Sequence, residues 1–168
     1  MSAAVCRCGE TTIELTGKPI ESVICFCESC RTAARQFEQV PGAPQTVTAE
    51  GGVEYCVYRK DRVKITRGAQ HLREHRLKPQ SPTRRVVASC CGSPMFADFA
   101  PGHWLSIFRG RLPEQVPAPR VCVMTKDRLE GVKLPDGIPA YDTFAPRLMI
   151  KLLGSWAAMG FRRPKITW

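Results

Sequence analysis

The chain has 168 residues and an apolar content of 43%, enough for one well-buried core and short for two. Its formal net charge of +10 favours an anionic partner, and small acids, phospholipid and nucleic acid all qualify. The opening residues carry neither a basic nor an apolar leader, so the expectation is a soluble cytoplasmic protein. In that reducing setting nine cysteines speak for metal ligation or reactivity and against a disulfide framework.

Along the chain, residues 11–15 and 22–26 predict short strands separated by the turn residues Gly17-Lys18-Pro19, and each strand adjoins a Cys-x-Cys. From Cys30 a run of helix formers predicts one short helix ending before Pro41-Gly42. Residues 53–58 and 62–66 alternate in period two, and Lys60-Asp61 lies at the expected turn, which predicts a hairpin. Further strands are predicted at 71–77, 84–89, 103–108 and 120–124, giving a mainly β chain with no internal repeat. Near the end, Pro146 stands where a first-turn proline belongs. Leu148, Met149, Leu152, Leu153, Trp156 and Ala157 follow at helical spacing, with Lys151 and Ser155 opposite. This predicts an amphipathic helix over 146–159, too short to be a transmembrane segment and suited to packing on a core or a partner. One domain at 1–125 with a C-terminal extension at 126–168 is the expected organisation.

The basic excess is local. Residues 59–85 hold Arg59, Lys60, Arg62, Lys64, Arg67, Arg73, Arg76, Lys78, Arg84 and Arg85 against Asp61 and Glu74. Charge runs are ordinarily the solvated faces of strands, so a nucleic-acid partner is the weaker reading of this strip. Arg31 and Arg35, in the short helix, also offer charge to an acidic ligand.

The chemistry lies in three cysteine clusters: Cys6-Arg7-Cys8-Gly9, Cys25-Phe26-Cys27-Glu28-Ser29-Cys30 and Cys90-Cys91-Gly92. Short spacings let ligands from one tight turn converge on one ion, and the glycines permit the turns. Thiolate-only sets select zinc or an iron–sulfur cluster over magnesium or calcium. Cys56 and Cys122, outside the clusters and inside apolar strands, read as core residues. His71, His75 and His103 are scattered and read as surface or structural residues, and Trp104 and Phe108 read as core.

The three clusters in this order, with Cys-Gly-Ser-Pro-Met after a basic strand, resemble the glutathione-dependent formaldehyde-activating enzyme and centromere protein V family over roughly residues 4–125. The resemblance implies a zinc-stapled, β-tent-like antiparallel fold holding two zinc ions. One site would be structural, drawn from the first and last clusters (Cys6, Cys8, Cys91). The other would be held by Cys25, Cys27 and Cys30, where a small thiol such as glutathione binds and adds to formaldehyde, as in carbon–sulfur lyase chemistry of the S-(hydroxymethyl)glutathione synthase kind. At the last cluster the family pattern puts a cysteine where Ala88 stands, and Cys90 is adjacent to Cys91 instead. Cys90 then has three readings: it completes the structural site through a reshaped turn, it leaves that site incomplete, or it closes the second site and removes the open position. The rival to an enzyme is a zinc-stabilised binding or scaffold module with an anionic partner.

Overall fold

The structure is a computed structural model describing residues 1–168. Ten strands and two helices follow in chain order: β1 Ser2–Val5, β2 Thr12–Leu15, β3 Glu21–Cys25, α1 Glu28–Glu38, β4 Val53–Arg59, β5 Val63–Arg67, β6 Leu72–His75, β7 Thr83–Ala88, β8 Ser93–Phe99, β9 Trp104–Phe108, β10 Val121–Val123 and α2 Pro146–Ala157. They form a three-stranded sheet ordered β1-β2-β5 and a seven-stranded sheet ordered β10-β3-β4-β9-β8-β7-β6. All pairings are antiparallel except that of β10 with β3. The mainly β expectation holds, with two helices and one parallel pair.

The large sheet is the middle of three layers, as the period of two in a strand requires when both faces are covered. On β4, Cys56 and Tyr58 turn toward the small sheet, where they join Ile13, Leu15, Phe96, Leu105 and Ile107 in one core. The alternate residues Val53, Tyr55 and Val57 turn toward the helices and pack with Ala33, Ala34, Phe37, Leu148 and Leu152. Each fully buried Phe, Leu or Ile here contributes about 1.5–3 kcal/mol relative to exposure.

The hairpin expected between residues 53–58 and 62–66 does not form. Both edges of β4 are taken, by β3 and β9, while β5 pairs with β2 in the other sheet. A 3-10 turn at Lys60–Arg62 makes the crossing. Lys60 turns inward there: its N–H donates to the His103 carbonyl at 2.9 Å and its Nζ stands 2.8 Å from Asp98 Oδ1. Strand β8, absent from the sequence reading, is buried along nearly its whole length and so lacks alternation. Its Pro94 has no N–H to give the ladder, and the β7–β8 register shifts between Val86 and Val87, where Val87 faces Pro94.

The C-terminal residues return to both cores. Leu148 and Leu152 of α2 complete the helix side, and Lys151 pairs with Glu21 at 2.5 Å. Ile166 enters the sheet-side core, Trp168 meets Phe96 edge-on at 6.0 Å, and the Arg84 guanidinium lies 4.8 Å over the Trp168 ring. The apolar stripe expected on α2 is buried only at Leu148 and Leu152, whereas Met149, Ile150 and Leu153 are exposed. No helix is long and apolar enough to cross a membrane.

Candidate metal centres

Seven of the nine cysteines gather into two groups, within each of which all sulfurs lie within 4.8 Å of one another: Cys6, Cys8, Cys90 and Cys91, and separately Cys25, Cys27 and Cys30. Cys56 and Cys122 are fully buried in apolar surroundings, as expected from their strands. No histidine joins either group. His75 Nε2 lies 2.9 Å from Gln36 Oε1, and His103 stacks on Trp156 at 5.8 Å. Phe108 is core and Trp104 packs partly buried against it.

In the first group, Cys6 and Cys8 lie in the turn that follows β1, and Cys90 and Cys91 lie in the turn between β7 and β8. Gly9 and Gly92 have φ of 82° and 67°, so each turn uses the left-handed conformation that glycine adopts without strain. The sulfur separations are 3.5 Å for Cys6–Cys8, 3.3 Å for Cys8–Cys90, 3.8 Å for Cys6–Cys90 and 3.9 Å for Cys90–Cys91. Four thiolates at about 2.3 Å from a tetrahedral zinc are about 3.8 Å apart, so these sulfurs fit such an ion with little adjustment. Cys90 lies with this group, in the turn one residue before Cys91.

The surroundings suit a negative centre. Ser93 Oγ stands 3.1 Å from Cys91 Sγ and accepts from the Arg7 N–H and from Arg111 Nη1. Burial alone would raise the Cys91 pKa, but the Ser93 hydroxyl and the backbone amides of Cys8 and Ser93 bring it down to about 6. An ion here would tie the small sheet to the large one.

The second group joins β3 to α1. Cys25 ends β3, Cys27 is the N-cap of α1, and Cys30 lies in its first turn. The Cys30 N–H donates to Cys27 Sγ at 3.3 Å, so the helix turns its N-terminal amides and dipole toward these sulfurs, as the sequence suggested. The Cys25 and Cys30 thiols converge on Cys27 and hold its pKa down to about 2, while the same contacts push Cys25 well up. Without a cation, then, one thiolate is stabilised at the expense of its neighbours, and a dication removes that conflict. Three protein sulfurs supply three of the four donors that a tetrahedral ion takes.

Two further polar groups face this triad. The Tyr55 hydroxyl of β4 is buried without a hydrogen-bond partner; burial and the neighbouring Cys30 and Cys25 sulfurs raise its pKa. Arg85 of β7 is 2% exposed and forms no ion pair with a carboxylate. Its Nη2 donates to the Ser29 carbonyl at 3.1 Å, its Nε is buried without a partner, and its charge acts on the Cys30 thiol. A signal for Arg85 was present in the sequence. Arg84 and Arg85 are adjacent in a strand and must point to opposite faces.

The rest of the basic strip is largely committed elsewhere. Arg59 pairs with Asp61, Lys60 and Arg84 with Asp98, and Arg76 with Glu74. Arg73 donates to the carbonyls of Gln70 and Leu72. Arg31 is likewise occupied, with Nη1 on the carbonyls of Phe26 and Asp127.

No curated protein sequence matches the chain. A crystal structure of a Rhodobacter sphaeroides protein superposes with a TM-score of 0.48 at 16% identity, covering 84% of this chain and 100% of that one. The family model described as glutathione-dependent formaldehyde-activating enzyme matches residues 1–121, a span that contains both cysteine groups and every strand but the end of β10. The chain belongs to the glutathione-dependent formaldehyde-activating enzyme family.

Proposed function

We propose that the protein holds two zinc ions, one closed in by Cys6, Cys8, Cys90 and Cys91 and one held by Cys25, Cys27 and Cys30, and that the second binds glutathione or a similar small thiol for addition to formaldehyde or a related small aldehyde. The observation that carries this reading is the contrast between the groups, four sulfurs in one and three in the other. A bound zinc lowers the pKa of a coordinating thiol, and a thiolate is the nucleophile that an aldehyde carbon requires.

The remaining chemistry belongs to the chain. Cys25, Cys27 and Cys30 would hold the ion at the N-terminal end of α1, and the amides of that helix favour negative charge beside them. A fourth anionic sulfur next to three thiolates meets repulsion, which the buried Arg85 guanidinium offsets. In the addition, the thiol sulfur forms a bond to the aldehyde carbon, the carbonyl π pair moves to oxygen, and the proton released by the thiol ends on that oxygen. Tyr55 supplies a hydroxyl beside the same sulfurs. The reading places the protein among carbon–sulfur lyases.

The test is calorimetric titration of glutathione into the zinc-loaded protein and into Cys27→Ser, with zinc content measured in parallel. Binding to the wild type at millimolar thiol or below, lost in Cys27→Ser while one zinc remains, is the expected result. Equal heats for both proteins would contradict it.

A further inference from the structure

Beside the cysteine triad lies a recess of about 350 Å³ bounded by Ser29 on α1 and by Lys78, Gln80, Thr83 and Arg85 of the β6–β7 hairpin. Ser29 connects it to the metal-binding turn, since this residue lies between Cys27 and Cys30 and its Oγ is 3.4 Å from Cys27 Sγ. The two charged residues lining it are both cations, one exposed at the rim and one almost fully buried. The buried one is the informative one. A guanidinium removed from water without a carboxylate partner is costly, and Lys60, the other deeply buried cation of the basic strip, has Asp98 to pair with. Arg85 has only the Ser29 backbone and hydroxyl on one nitrogen, with Nε unpartnered.

We propose that this recess receives a carboxylate of the incoming thiol, with Arg85 as its principal donor and Lys78 at the rim, so that the protein selects acidic thiols over neutral ones. The proposal rests on the reading of the triad as a thiol-binding zinc site and adds what decides which thiol is taken. Arg85 is suited to the role because its planar fork meets both oxygens of a carboxylate, which a lysine cannot do. It is a specificity residue: the sulfur goes to the triad, and the carboxylate sets affinity without entering the carbon–sulfur bond-forming step.

Two small thiols separate the effects, 3-mercaptopropionate with a carboxylate and 2-mercaptoethanol without one. Each is titrated calorimetrically into the zinc-loaded wild type, Arg85→Gln, Arg85→Lys and Lys78→Gln, with zinc per chain measured by native mass spectrometry. In the wild type the acidic thiol binds about tenfold more tightly, as one charge-assisted contact provides. Arg85→Gln weakens both thiols, since a charge beside the sulfurs is lost, but weakens the acidic one by more and so removes most of the preference; Arg85→Lys, which keeps the charge, and Lys78→Gln, at an exposed position where folding is not at stake, reduce the preference with affinity for mercaptoethanol little changed. Equal affinity of the wild type for both thiols overturns the proposal, as does a loss in Arg85→Gln that is the same for both, which would make Arg85 a counter-charge to the metal centre alone. Either result leaves the thiol-binding reading standing. Failure of both thiols to bind the wild type removes that reading and the proposal with it.

Discussion

The Cys8 and Cys90 sulfurs stand 3.3 Å apart although 82 residues separate them. An ion held by that pair with Cys6 and Cys91 would close most of the β strands into one loop and join the two sheets. Ligation energy at such a site is folding energy, and for structural zinc it reaches about 10 kcal/mol or more. Cys8→Ser and Cys90→Ser are therefore expected to lose one zinc per chain and to melt far below the wild type. Cys56→Ser, at a buried thiol 3.4 Å from Ser22 Oγ, is expected to cost about 1 kcal/mol and to keep both ions. Thermal melts with metal analysis rank the three, and a Cys56 variant less stable than the Cys8 variant would reverse the assignment of roles.

Asp98 receives two cations, Lys60 Nζ at 2.8 Å and Arg84 at 2.9 Å, and the Lys60 contact lies inside the crossing between the sheets with both side chains at 4% exposure or less. Removing the carboxylate leaves a buried ammonium uncompensated. Asp98→Ala is predicted to destabilise the fold by about 3–5 kcal/mol, read as a shifted urea midpoint with an unchanged slope. Zinc content should not change, because neither metal group touches this pair.

His103 links α2 to the sheet, with Nε2 2.9 Å from Ser155 Oγ and its ring parallel to Trp156. Burial lowers its pKa, and the charges of Lys60, Arg163 and Arg59 act in the same direction. The unfolded chain, at about 6.5, then binds this proton more readily than the folded one. Stability tied to His103 is thus fully present above about pH 6.5 and declines as the pH falls below it. Melting temperatures at pH 7.5 and 5.5 should differ less for His103→Gln than for the wild type, and the comparison between the two proteins removes the contribution of metal release.

The sequence was most informative where spacing alone constrains geometry. The cysteine turns, with the glycines after Cys8 and Cys91, could be read directly, because ligands two or three residues apart converge on one point whatever the tertiary fold. Cys90 could not be assigned, since its partners lie across the chain at Cys6 and Cys8. The hairpin failed for a related reason: alternation shows that a strand exists, while the occupancy of its edges depends on β3 and β9, which local pattern does not encode. Strand β8 is not legible in the sequence because burial on both faces erases alternation and Pro94 argues against a strand. Tyr55 and Arg85 come from β4 and β7, three places apart in the sheet order, and only the packing of α1 across that sheet brings both to the sulfurs.

The central claim is that the triad zinc takes a sulfur from outside the chain. Zinc K-edge X-ray absorption on the two-zinc protein, before and after addition of glutathione, measures the mean number of sulfur neighbours per zinc directly. A zinc held by four cysteines would have no room for another sulfur and one held by three would have one place, so the mean sulfur count should rise on addition of glutathione in the wild type and stay constant in Cys27→Ser. A sulfur count that glutathione leaves unchanged in the wild type would contradict the account.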